Sequence, residues 1–228
     1  MNTGRMKQVL LVMAVSVVLP MSSLNAAGEP AELDADTVEY DMSTGLVSAS
    51  GDVLMKQGAS RVSGVKATYN AKTKQGIVEG NVIVVRDDAR LTCDRIVLDG
   101  QEHLSASGNV QGSQGDHHFS GEQADYYPNQ GKYLVMPAGG TLTGTDGTFT
   151  ANRLEGWLDD AHYVGTGNAH VISPPRNLEA GGDRMDYYGR DQGQVVVTGN
   201  AWAIQDNNTM KSNRLTIYLA KDGQAGVK

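Results

Sequence analysis

Apolar and polar residues alternate with a period of two along most of the chain, as in Asp52-Val53-Leu54-Met55-Lys56, Arg95-Ile96-Val97-Leu98 and Arg214-Leu215-Thr216-Ile217-Tyr218-Leu219. Val, Thr, Ile and Tyr fill these runs, the residues that suit a pleated surface. Turn signals separate them: Asn70, Asp99-Gly100, Asn129-Gln130-Gly131, Asp191-Gln192-Gly193 and Asp222-Gly223. After residue 27 no segment keeps a 3.6-residue period over three turns, so no helix is predicted. The pattern predicts strands of about 7–10 residues joined by turns.

The strands recur with a fixed phase. A Gly-Asx pair followed by an apolar residue occurs at Gly51-Asp52-Val53, Gly80-Asn81-Val82, Gly108-Asn109-Val110, Gly167-Asn168-Ala169 and Gly199-Asn200-Ala201, with a weaker copy at Gly139-Gly140-Thr141. A second mark, a polar residue two positions before an apolar one, begins at Asp36, Asp94, Glu122, Asn152, Asp183 and Asn213, with a degenerate copy at Val65. Both marks recur at a nearly constant step of roughly thirty positions, and they alternate about half a step apart. Each repeat therefore splits into two strands, 13 or 14 strands in all. Such an array stacks as a solenoid or as two facing sheets with open ends. At about seven strands per sheet the stack would be roughly 30–35 Å long.

Alternation assigns an inner side. Val53 with Met55, Val82 with Val84, Ile96 with Leu98, and Leu215 with Ile217 share it. The same phase places Leu33, Val38, Val110, Met185, Val195 and Val197 there. The last strand ends in Thr216, Ile217, Tyr218 and Leu219 without Pro, a poorly guarded edge that invites a partner strand. Repeated head to tail, that contact builds an open homo-oligomer. The alternative is that the short polar tail, Ala220 to Lys228, folds over the edge as a cap.

The N-terminus reads as an address. Arg5 and Lys7 precede an 11-residue apolar run, Val9 to Leu19, broken by Pro20 and followed by small or polar residues. That is a cleavable secretory signal over residues 1–27, too short for the ~20 residues of a membrane helix. Its removal leaves 17 Lys and Arg against 26 acids, a net charge of −9 over residues 28–228. The acidic balance argues against a nucleic-acid binder that relies on bulk charge. The single Cys93 excludes an internal disulfide or a Cys-based zinc site, and its place in a strand pattern predicts a buried, inert thiol.

Catalytic signatures are lacking. There is no nucleotide loop, no Gly-x-Ser-x-Gly and no His-Glu-x-x-His. His117 and His118 are adjacent on a strand and point to opposite faces, so no metal is predicted there. Asp87-Asp88 and Asp159-Asp160 adjoin turns and read as solvated loops. Tyr126-Tyr127 and Tyr187-Tyr188 occupy equivalent repeat positions, one ring in and one out. No cofactor and no enzymatic activity are expected.

Several of these segments resemble the OstA-like family, the superfamily of LptA, LptC and the LptD N-terminal domain. The resemblance is carried by the opening Leu33-Asp34-Ala35-Asp36-Thr37-Val38-Glu39-Tyr40 and by Ser48-Ala49-Ser50-Gly51-Asp52-Val53-Leu54-Met55-Lys56-Gln57-Gly58. Gly80-Asn81-Val82-Ile83-Val84, Gly182-Asp183-Arg184-Met185-Asp186-Tyr187-Tyr188 and Val195-Val196-Val197-Thr198-Gly199-Asn200-Ala201-Trp202 extend it over residues 31–219. It implies an all-β, partly open antiparallel β-jellyroll, or β-taco, over residues 28–220. It implies a periplasmic carrier whose groove takes the lipid A acyl chains of lipopolysaccharide, with the fourteen inner-side residues Leu33, Val38, Val53, Met55, Val82, Val84, Ile96, Leu98, Val110, Met185, Val195, Val197, Leu215 and Ile217 as its expected lining, and with an LptC-like inner-membrane protein and an LptD-like outer-membrane protein as partners. The competing readings are an envelope or adhesion scaffold without lipid, a polysaccharide-acting β-helix enzyme, and an LptC-like role in which residues 1–27 stay as an anchor.

Overall fold

The computed structural model describes residues 31–100, 103–189, 193–219 and 225–227. The predicted signal segment, residues 1–27, lies outside them. Among the described residues seventeen strands form one continuous antiparallel sheet. β1 (Ala31–Asp34) and β2 (Thr37–Asp41) share the first layer, each pairing with one half of β3 (Leu46–Gln57). β4 (Ser60–Asn70), β5 (Gly76–Arg86), β6 (Ala89–Asp99), β7 (His103–Gln114) and β8 (His117–Tyr127) follow in order. The next layer is β9 (Tyr133–Met136) with β10 (Gly140–Gly144), and the one after it β11 (Gly147–Ala151) with β12 (Arg153–Trp157). β13 (His162–Ser173), β14 (Leu178–Tyr188), β15 (Gln194–Gln205) and β16 (Asn208–Leu219) complete thirteen layers, and β17 (Ala225–Val227) covers the end of β16.

The all-β antiparallel repeat is as the alternation predicts, but the walls are built differently. Outside the three layers split into two short strands, each half-repeat is a strand of 11 or 12 residues that runs through both walls, bending halfway. Every layer therefore adds to both walls, and thirteen layers span roughly 58 Å rather than 30–35 Å. The bend lies at the Gly-Asx mark. Gly51-Asp52 of β3 oppose Val65 alone, and Gly108-Asn109 of β7 oppose Asp94 on one side and Glu122 on the other. Each is a bulge with two residues against one. The glycines have φ of +69° to +85° and the Asx residues +44° to +50°. Glycine adopts that region freely, and Asn and Asp tolerate it best among the rest.

The two sequence marks thus meet in space. The first residue of the second mark stands across from a bulge: Asp36 from Gly51, Asp94 from Gly108, Asp183 from Gly199. Asn109 Nδ2 donates to Asp94 Oδ2 at 3.0 Å, and Asn200 Nδ2 donates to both oxygens of Asp183 at 3.1 and 3.0 Å. On the unbulged strands the inward set changes parity at this corner. β6 buries Leu91 and Cys93 before it and Ile96 and Leu98 after it, with Asp94 and Arg95 both outside.

Both halves of each strand bury their inner side in one hydrophobic core. That is possible only if the sheet closes on itself, and the β13 corner shows that it does. Phe149 lies beside Val171 of β13 in the ladder, yet its ring covers Gly165 of the same strand, where a Cβ would stand 2.5 Å from Cζ. Along a straight strand those two positions would be about 20 Å apart.

Two expected outcomes follow from the corner and the core. At Gly108, a Cβ would meet Asp94 Cβ at 2.7 Å, whereas at Gly115, also left-handed, nothing lies within 4 Å. Gly108→Ala should lower stability by about 2–4 kcal/mol and Gly115→Ala by about 1 kcal/mol, read from urea midpoints. Equal losses would show that the opposing residue does not constrain the corner. Cys93 is buried and its thiol is pushed up to about 11, chiefly by desolvation. It should resist a maleimide at pH 7.5 until the chain is unfolded; labelling of the native protein at the rate of a free thiol would contradict the packing.

Candidate functional site

Between the two walls, at the N-terminal end, lies an apolar cleft of about 240 Å³. Wall A, formed by the halves that run from the bend to Tyr69 and Leu98, contributes Val47, Ala49, Ala67, Tyr69, Gly76 and Leu98. Wall B contributes Leu33, Met55 and Val62, with Glu32, Lys56 and Ser60 at the rim. Small residues make the room: Ala49, Ala67 and Gly76 occupy inner positions of successive strands. The first layer leaves the cleft open at its end. Val38 pairs with the inner Ala49 and Tyr40 with Val47, so both face inward, yet they are 47% and 58% exposed.

From β7 onward the interior is filled. Leu104, Phe119, Tyr126, Met136, Phe149 and Tyr163 are buried, each in the inner phase. All fourteen residues expected to line a lipid groove lie on the inner side, but only three of them, Leu33, Met55 and Leu98, line this cleft, and Val38 stands at its mouth. Val53, Val82, Val84 and Ile96 are buried in the walls beside it. Val110, Met185, Val195, Val197, Leu215 and Ile217 lie in the filled part of the core. Val47, Ala49, Val62, Ala67 and Tyr69 are lining residues that the sequence pattern does not single out. The degenerate mark at Val65 carries the signal for two of them, since the parity change at that corner puts Val62 and Ala67 on one side.

The predicted partner edge needs correction. Ile217, Tyr218 and Leu219 are paired with Val227, Gly226 and Ala225, so β17 covers three of the four proposed edge residues and leaves Thr216. The tail carries a short stretch, Ala225–Val227, able to fold back as a strand. The turn signal Asp222-Gly223 before it lies outside the described residues. On β16 the outer edge without a partner strand among the described residues is Asn208–Thr216, of which Asn208–Ser212 lie in wall B. At the other end β1 and β2 present their outer edges.

On the outer face of wall A, rings stack across six consecutive layers. His103, Tyr127, Tyr133, Trp157, His162 and Tyr188 follow one another at centroid distances of 4.5, 5.8, 4.9, 5.2 and 4.7 Å. Beside this ladder runs a row of carboxylates. Asp125 accepts from Gln123, Asp186 accepts two bonds from Arg184 at 2.8 and 2.7 Å, and Glu155 accepts from Tyr133 and Arg153. Burial and the Glu155 charge push the Tyr133 phenol up to about 12. Burial works against ionisation of Glu155, yet the bonds from Arg153 and Tyr133 hold its carboxyl below the usual range. Ring faces covered by other rings cannot stack on a sugar or base, so the ladder reads as cross-strand support. Tyr126 and Tyr187 are buried partners of the outer Tyr127 and Tyr188, as alternation predicts. Among the described residues no cluster of three His, Cys, Asp or Glu could hold a metal ion.

Comparison with known proteins adds three findings. Among solved structures, the chain is similar to LptH, described as the LptA homologous periplasmic component of the lipopolysaccharide transport device from Pseudomonas aeruginosa. The match has 16% identity and a TM-score of 0.22, covering 75% of this chain and 83% of that one. The comparison with curated protein sequences returns no match. The profile of the family described as LptA/(LptD N-terminal domain) LPS transport protein matches residues 61–223, most of the bent-strand stack. The chain belongs to this LptA/LptD N-terminal domain family of LPS transport proteins.

Proposed function

We propose that the protein is a periplasmic carrier that shields acyl chains of lipopolysaccharide in the N-terminal cleft and docks end to end with related domains. The observation that carries this is the cleft itself: an apolar lining inside a family of LPS transport proteins, open where the first layer exposes Val38 and Tyr40. An acyl chain costs about 0.8 kcal/mol per CH₂ exposed to water, so an aqueous crossing needs a covered seat of this kind. The basic start and apolar run of residues 1–27 support export. The outer edges of β1 and β2 at one end and Asn208–Thr216 at the other suit strand addition by an LptC-like protein, an LptD-like protein or a second copy. The function needs no group on this chain that could supply energy, so a partner would drive transfer.

A second reading, an envelope scaffold without lipid, draws support from the filled interior beyond β7. Photocrosslinking in cells separates the two. A photoreactive residue at Met55 or Leu98 should give lipopolysaccharide adducts, and one at the outward Ser48 or Thr92 should not. Met55→Asp, which sets a charge in the lining, should weaken acyl binding about tenfold or more. Adducts from the outward positions alone, or none from any, would favour the scaffold.

A further inference from the structure

The two ends of the stack carry opposite charge. The first layer, residues 31–41, holds five acids and no base: Glu32, Asp34, Asp36, Glu39 and Asp41. All five are exposed, and among the described residues only Glu32 has an ion-pair partner, Lys56 at 3.6 Å. The strand at the other end, β16, holds two bases and no acid, Lys211 and Arg214. Both are exposed and neither has an ion-pair partner among the described residues. β15, the strand paired with both, carries no charged residue. Leu33, Val38 and Tyr40 face inward in the first layer, as Met210, Leu215 and Ile217 do in β16, so alternation sets these charges on the outer surface.

The backbone sets how such ends meet. β1 and β2 run antiparallel to β3, and β16 runs antiparallel to β15. β3 and β15 both run from wall A to wall B, so both end layers run from wall B to wall A, and a second copy stacked on β16 by its first layer pairs in parallel. Both end layers turn the corner at the second mark, Asp36 at one end and Asn213 at the other. With those corners in line, Asn208–Thr216 meets residues 31–39 of the next copy, and β17 begins its cover at the next position, Ile217. Lys211 then lies beside Asp34, and Arg214 lies between Asp36 and Glu39, on strands about 4.8 Å apart. We propose that this opposite charge decides which ends join and in what register, so that a second copy adds by its acidic first layer to the basic edge of β16. The inference rests on the end-to-end docking proposed above and adds a rule of selection to it. An open backbone edge accepts any strand, and an apolar end accepts any apolar end. Acid against acid, or base against base, repels, so first layers do not join first layers, nor β16 another β16. The same register sets wall A on wall A and keeps every copy pointing one way.

Charge exchange tests the rule, with self-association of the exported mature chain followed by sedimentation. Raising NaCl from about 20 to about 500 mM should weaken association of the wild type about tenfold. One variant carries Glu32→Lys, Asp34→Lys and Glu39→Lys, which leave the corner residue Asp36 in place. The other carries Lys211→Glu and Arg214→Glu. Each has like charge at both ends and should stay monomeric where the wild type associates. An equimolar mixture of the two should associate again, because every junction in it joins an acidic end to a basic one, a rescue that damage to either fold would not give. Register is read from chains with Asp34→Cys mixed with chains with Lys211→Cys, which should form disulfides with each other faster than either does with itself. Variants that associate singly as tightly as the wild type, or a mixture that stays monomeric with far-UV dichroism intact, overturn the charge rule while docking stands. Faster linkage of like with like overturns the register. A wild type that is monomeric at every concentration and salt overturns the docking of copies and the rule with it. Should a variant not fold, the unaltered chain decides: association that salt does not weaken overturns the rule.

Discussion

Everything in this fold depends on bending a β-strand in its middle without breaking the ladder on either side. A strand as long as β3, left straight, would bury one face of a flat sheet against nothing. The bulge solves this by placing two residues against one, and its cost falls on two successive left-handed φ values. Glycine removes most of the first cost. Asn reduces the second, and at Asn109 and Asn200 the side chain also binds the carboxylate across the corner. Because the bulge recurs on alternate strands, the intervening strands need only a polar pair pointing outward, as Asp94-Arg95 and Asp183-Arg184 do. One strand takes up the backbone strain while its neighbour stays relaxed, and the corner propagates through thirteen layers.

A repeat built on such a corner separates two properties that ordinary sandwiches couple. The spacing of the walls is set at the bend, and the filling between them is set by the inner rows. The same backbone can thus hold an open cleft at one end and a dense core at the other. Ala49, Ala67 and Gly76 leave the first open, while Phe119, Tyr126, Met136 and Phe149 fill the second. Outside, wall A is reinforced over the filled layers alone: the ring ladder starts at β7 and ends at β14. The carboxylates beside it, Asp125, Glu155 and Asp186, accept hydrogen bonds from Gln123, from Tyr133 and Arg153, and from Arg184.

Much of this is legible in the sequence. The period, the strand class and the inner phase follow from alternation and from the two marks, because side-chain direction in a strand depends on parity alone. What parity hides is where a strand bends. In the sequence the Gly-Asx marks look like boundaries between units, and only the pairing shows them as mid-strand corners that stand against the second mark. The ladder is also within reach of the sequence. Its members fall into two interleaved series, His103, Tyr133, His162 and Tyr127, Trp157, Tyr188, each stepping by one repeat length. Antiparallel order splits neighbouring rungs into alternate long and short steps, so Trp157 looks solitary until the two series are combined. The cover on the last edge escapes the pattern because Ala225–Val227 is too short for its alternation to register, although a turn signal precedes it.

The cleft is the hardest feature to foresee, and the reason is geometric. Whether an inner row lines a cavity or a core depends on the summed volume of residues that face each other across the fold. In this chain the facing partners lie on the same strand or its neighbours, related by the corner and not by a constant offset. Phe149 meets Gly165, well ahead of it in the chain, while Met136 meets Gly121 behind it and Gly140 just ahead. A residue that reads as one more apolar inner position therefore closes the molecule only if a glycine waits across from it. Once the corners are fixed, the glycines of the inner rows become the informative residues. Gly76 lies among cleft-lining residues, with Tyr69 Cδ2 3.0 Å from where a Cβ would stand, while at Gly112, Gly121, Gly140 and Gly165 a Phe or Met side chain comes within 2.5 Å of that position and fills the space.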